Sequence, residues 1–438
     1  MGADPTMKQD RLSLRLGTPA IPGGLDCSLP RMLKAEQRFP RPRVPEVGRA
    51  VAEAVHSLAP TGLVGKRVAI TCGSRGIPSM VEIVRALASV LKVLGAKPFV
   101  VPAMGSHGGA SAEGQRKVLE GYGISEATIE APIHASMDVV QVGELRDGIP
   151  LYCDALACSA DAIVLFNKIK PHSAYKAEIE SGLLKMAAVG LGKHRGATAL
   201  HTIGFDEFPN LIQSAGEQLL RVLPVAFGVA VVENAYGEVG ILEAIFPDAI
   251  PARERALLVE AKRIMSRLLV PAIDVLIVDE IGKDVSGAGL DPNVTGRPAS
   301  RRPGFEAPPI QKIIVRGVTP GSHGNGVGIG MADFTTRRCV ESLDLAAVYT
   351  NVFTARVMEG AKIPPVLRND REALSVAIKT CNRVAPNQAR VVRIKNTKSL
   401  HSIWLSESCL PEIARQADIS VVGEPHTLQF DEEGYFLG

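Results

Sequence analysis

Arg67-Val68-Ala69-Ile70-Thr71-Cys72 leads through Gly73-Ser74-Arg75-Gly76 into Ser79–Leu94 and Phe99–Ala103, and this stretch decides the fold. Its first six residues are a short, β-branched apolar run, which reads as a buried strand. Ser79–Leu94 places apolar residues at helical spacing and stops at Gly95. Phe99–Ala103 is a second strand, and Ala112–Tyr122 is a second helix that ends at Gly123. Strands alternating with helices of this length make βαβ units on a mainly parallel sheet.

The alternation extends both ways. Pro45–Ser57 reads as a helix, Ala162–Phe166 as a strand and Asn210–Leu220 as a helix. Val225–Glu233 is a long, central strand, and Pro251–Leu269 is one long helix. After Pro271 a second series begins, with strands Asp274–Val278 and Lys312–Val318, helices Thr335–Ala347 and Arg371–Arg383, and strand Ala389–Ile394. The sequence therefore predicts two α/β domains, residues 44–268 and 269–417, with mainly parallel sheets and the active site in the cleft between them. Residues 1–43 are rich in Pro and Gly and predict an extended lead-in with a short strand at Arg11–Leu16. Residues 418–438 are expected to return to the first domain.

Composition narrows the function. The 438 residues suit two or three domains. The net charge of +3 and the 4% aromatic content argue against a nucleic-acid partner. No apolar run reaches the ~20 residues of a membrane span. Met1–Leu16 is charged and has no apolar core, so no signal peptide is expected. Seven scattered cysteines, an odd number, predict a reducing compartment, with the cytoplasm as default. No GxxxxGK[ST], HExxH or GxSxG motif occurs, and Cys153 with Cys158 lacks partners at zinc-ligand spacing.

In open α/β sheets ligands bind beyond the carboxyl ends of the strands. Three segments fall there in the first domain. Cys72–Gly76 offers Arg75, a fork for a carboxylate or phosphate. Met104-Gly105-Ser106-His107-Gly108-Gly109-Ala110 places a histidine between glycines, without the GxGxxG dinucleotide spacing. The third runs from Asn167-Lys168-Ile169-Lys170-Pro171-His172 to Ser181-Gly182-Leu183-Leu184-Lys185 and on to His201. Lys185 lies in an uncharged run, the setting in which a desolvated lysine becomes a nucleophile. In the second domain Lys283 follows strand Asp274–Val278 among acids. Gly105-Ser106-His107-Gly108 is echoed by Gly321-Ser322-His323-Gly324. Each of these residues alone has a bland explanation; together, at strand ends, they point to a site.

The PH…SGxxK…H series, formed by Pro171-His172, Ser181-Gly182, Lys185 and His201, resembles that of the nickel-dependent lactate racemase family, over roughly residues 66–394. The resemblance implies 2-hydroxy-acid racemase or epimerase activity with a nickel-pincer nucleotide, loaded by cofactor-maturation proteins. By that likeness Lys185 is the covalent tether with Ser181 and Gly182 beside it. His201 is the nickel ligand, His107 and His172 are paired acid/bases, and Arg75 and Lys283 are the substrate's cations. The substrate implied is a small 2-hydroxy acid or sugar acid. The chain departs from the family at Cys72–Gly76, which lacks an acid, and at Glu280, which replaces a glutamine.

Two other readings stay open. One keeps the fold but uses a non-covalent nicotinamide dinucleotide such as NAD, which would need neither Lys185 nor His201. The other is a nucleotide or metal-cofactor carrier without turnover, which would need no pair of histidine acid/bases.

Overall fold

The computed structural model describes residues 14–74, 76–146 and 148–437. They form two compact α/β units. One unit comprises Phe39–Ser266 with Arg302–Gly304; the other comprises the described residues up to Arg38, Arg267–Arg301 and Phe305 onward.

The first unit is built on a five-stranded sheet, in the order Lys97–Pro102, Arg67–Cys72, Ala162–Lys168, Val225–Glu233 and Val239–Ile245. The first four strands are parallel and the last is antiparallel. Successive strand residues feed opposite faces, as the two-residue pleat requires. Ala69, Val101, Ile163 and Leu165 pack into one buried cluster, and Val68, Ile70, Val100, Val164 and Phe166 into another. Helix Met80–Val93 covers the second face with Met80, Ile83, Val84, Leu87 and Leu91, the three-and-four spacing of an amphipathic helix. The chain passes from Arg67–Cys72 outward to Lys97–Pro102 and then returns to the other side of Arg67–Cys72. Strand order reverses there, so the loops after these strands meet at the switch point where such sheets hold ligands.

The other unit carries eight strands in the order Val366–Leu367, Phe334–Thr336, Ile310–Val315, Ile273–Val278, Val391–Ile394, Ser402–Ser406, Met32–Gln37 and Ile419–His426. The first five are parallel and the last three pairings antiparallel.

Several expectations need correction. Residues 11–13 of the proposed Arg11–Leu16 strand lie outside the described residues, and 14–16 form no strand. The strand of the lead-in is Met32–Gln37 instead, and its unit is the one that holds the second α/β series. The C-terminal segment does not return to the first domain: Ile419–His426 pairs with Met32–Gln37. Thr335–Ala347 is not one helix. Phe334–Thr336 is a strand; Thr336 then caps helix Arg337–Glu341, and Asp344 caps a new helix, Leu345–Ala355. The two caps satisfy amides that a continuous helix would have bonded internally. Val225–Glu233 is the strand next to the edge rather than the centre. A two-stranded hairpin, Val139–Glu144 with Pro150–Asp154, was not foreseen.

Candidate active site

Three loops meet at the carboxyl edge of the five-stranded sheet. The loop after Lys97–Pro102 carries His107. Its glycines are needed: Gly105 and Gly108 have φ of 61° and 67°, and a Cβ at Gly108 would stand 2.5 Å from the Gln115 amide nitrogen. The His107 ring is exposed, and its Nδ1 is hydrogen-bonded to the Ser74 hydroxyl from the loop after Arg67–Cys72. Arg75, next to Ser74, lies outside the described residues.

The third loop, after Ala162–Lys168, carries His172. Its backbone N–H donates to Glu180 Oε2 at 2.5 Å, and its ring stacks on Tyr175 with centroids 4.2 Å apart. Glu180 is fully buried and also receives Lys262 Nζ at 2.6 Å. His172 Nδ1 accepts the Ala174 N–H at 3.0 Å, so a neutral ring carries its proton on Nε2. Nε2 is 2.5 Å from Lys185 Nζ. The two nitrogens share one hydrogen bond. Burial, and then the nearby Lys185, Lys170, His201 and Lys176, push His172 well below the usual histidine range. The neutral ring is the form a base needs, and for Nε2 to take a proton the ring must first shift its own proton to Nδ1 and release the Ala174 N–H.

Lys185 and His201 lie on one run of short helical segments, Leu183–Lys185, a π-helical segment Met186–Gly190 and, after a turn at residues 191–192, helix Lys193–His201. Such π segments recur at functional sites. Asn167 holds the start of the run, its Nδ2 donating to the Gly182 carbonyl at 2.7 Å, and Ser181 bridges back to Lys170. Glu254 holds it from below, with Oε2 accepting the amides of Leu183 at 2.8 Å and Leu184 at 3.0 Å. Gly182 must be a glycine here, because a Cβ would lie 2.3 Å from Glu254 Oε1. His201 Nδ1 faces the Ala197 carbonyl at 2.6 Å and must donate to it. That leaves Nε2 as the ring's basic nitrogen, the arrangement of a metal-ligating imidazole. Among the described residues, no three His, Cys, Asp or Glu side chains converge as a metal set.

Lys283 is in the other unit, just past the carboxyl end of strand Ile273–Val278. Its Nζ donates to the Gly287 carbonyl at 2.6 Å, and its N–H to Ser322 Oγ at 3.0 Å. His194 and His323 are exposed. The uncharged run around Lys185 suggested a desolvated lysine, yet Lys185 is only partly buried, and among the described residues Lys193 is the lysine with no exposure. Glu180, Glu254, Lys193 and Gln115 were missed. No local signal marks a charged or amide side chain as buried; only its partners do.

Burial raises the Glu254 carboxyl to about 7, against the pull of the two amides. A raised carboxyl means that the folded chain binds a proton more tightly than the unfolded one. Stability is therefore full below about pH 4.5, falls as pH rises towards 7 and is flat above, by roughly 3 kcal/mol in all. Glu254→Gln keeps an oxygen for both amides. Denaturation at several pH values should show the variant losing this slope and exceeding the parent above pH 7. An unchanged slope would mean that Glu254 does not titrate in this range.

The likeness to solved structures is in the fold. The structure of the lactate racemase apoprotein from Thermoanaerobacterium thermosaccharolyticum superposes with a TM-score of 0.50 at 14% identity, covering 83% of this chain and 100% of that one. A structure of a protein from Thermotoga maritima gives a TM-score of 0.47 at 16% identity, covering 77% of this chain and 84% of that one. No family profile and no curated protein sequence matches the chain. The fold is lactate racemase-like α/β. Among the described residues, no helix is long and apolar enough to cross a membrane.

Proposed function

We propose that this chain is a racemase or epimerase of a 2-hydroxy acid, acting by removal and return of hydride at C2 with a nickel-pincer nucleotide tethered to Lys185. The observation that carries the reading is the Lys185–His172 contact at 2.5 Å, on a helical run that ends in His201. The lysine of this run is the nucleophile available for a covalent attachment. When bound, the group would supply a two-electron acceptor.

The chain's own part is proton handling and orientation. The α-hydrogen of a 2-hydroxy acid is weakly acidic, so loss as hydride, coupled to loss of the hydroxyl proton, is the easier course. His172, held neutral by its surroundings, takes the hydroxyl proton of one enantiomer. His107, oriented by Ser74, serves the other. Ser181 and Gly182 shape the backbone beside Lys185, and His201 is the residue that would hold the nickel. Arg75 and Lys283 are the cations assigned to the substrate carboxylate. The substrate is a small 2-hydroxy acid or sugar acid, and maturation proteins would load the cofactor.

Intact mass tests the tether. Protein made with cofactor synthesis and nickel supply should carry an adduct that maps to Lys185 and is absent from Lys185→Ala. An unmodified mass with a releasable dinucleotide would support the nicotinamide reading instead.

A further inference from the structure

The helical run and the His107 turn are joined by side chains to which the proposed chemistry gives no role. Lys193 stands midway on the run, eight residues after Lys185 and eight before His201 (193 − 185 = 8; 201 − 193 = 8). It is fully buried and has a φ of 52°, a region a non-glycine residue occupies only when its surroundings hold it there. Its ammonium donates to Gln115 Oε1 at 3.1 Å and to the Pro102 carbonyl, and it forms an ion pair with Asp154 Oδ2 at 2.9 Å. Asp154 and Gln115 are fully buried too.

The lysine decides which way the Gln115 amide points. With Oε1 on the ammonium, Nε2 must face away, and it donates to the carbonyls of Gly105 at 2.9 Å and His107 at 3.3 Å. Gln115 therefore holds the backbone of the catalytic turn at two points. Asp154 in turn caps a short helix, with Oδ1 accepting the Ala157 N–H at 2.9 Å, so the anchor is itself fixed. Apolar side chains would fill this space at lower desolvation cost. A buried charge arrayed towards one amide is better suited to fixing geometry than to adding stability.

We infer that Gln115, oriented by Lys193 and Asp154, is a positioning residue that fixes the His107 turn against the helical run bearing Lys185 and His201. The inference rests on the proposed role of His107 for its consequence in catalysis, but not for its structural part. The test is amide hydrogen exchange together with turnover of the cofactor-loaded enzyme. Gln115→Met keeps the volume and loses both donors. Gln115→Glu keeps an oxygen for Lys193 and loses the donors too, so it guards against a fold that tolerates no apolar side chain at this position. In either variant, exchange at residues 105–110 should quicken roughly tenfold, the worth of about one hydrogen bond. Exchange in the five-stranded sheet should stay put. Turnover number should fall by a similar factor, with KM and bound cofactor unchanged. Unaltered exchange at 105–110 in both variants, or equal quickening throughout the unit, overturns the inference. Local quickening with full turnover leaves the positioning intact and removes His107 from catalysis.

Discussion

His172→Ala and His107→Ala, each loaded with cofactor, should lose racemisation in both directions by ~10²–10⁴-fold, the usual worth of general acid–base help. Each histidine is base in one direction and acid in the other, so a full cycle needs both. Neither is the assigned tether or nickel ligand, so both variants should keep the cofactor. The two should differ in the half-reaction: each should still oxidise the enantiomer whose base remains, and stop at the keto acid. Opposite enantiomer preferences in that single-turnover experiment are the expected result. Near-normal racemisation by either variant would make that histidine structural.

Lys193→Met should cost about 3–5 kcal/mol of folding stability, because it leaves the fully buried Asp154 carboxylate without its cation. Asp154→Asn added to Lys193→Met should recover much of the loss. The asparagine oxygen still caps Ala157, and the uncompensated charge is gone. Chemical denaturation of the two variants measures this directly. A cost under 1 kcal/mol for the single variant would mean that the ion pair does not hold the run in place.

The longer parallel strands were legible because they are local, uninterrupted apolar runs, whereas the short parallel strands Phe334–Thr336 and Val366–Leu367 were not. Arg67–Cys72 and Val225–Glu233 are apolar enough to be read alone, and both form strands at those bounds. The antiparallel strands were not legible. Met32–Gln37 alternates buried residues with Lys34 and Glu36, and its partners lie nearly four hundred residues away at Ser402–Ser406 and Ile419–His426. Thr335–Ala347 misled because helical apolar spacing there spans two short elements and their caps. At the site, His107, His172, Lys185 and His201 stand out by residue type and loop position. Glu180, Glu254, Lys193, Gln115 and Asp154 do not, because sequence gives charged residues a solvated face by default. The hydrogen bonds of these residues arise across separations that no local pattern encodes.

The central claim is hydride removal and return at C2, and the fate of a C2 deuterium tests it most directly. The loaded enzyme is given lactate, malate and an aldonate, each deuterated at C2, in ordinary water. The account predicts an inverted product that keeps its deuterium in at least one of them, because a hydride held within the site does not exchange with solvent. Inversion with the deuterium washed out would show proton abstraction at C2 and contradict it.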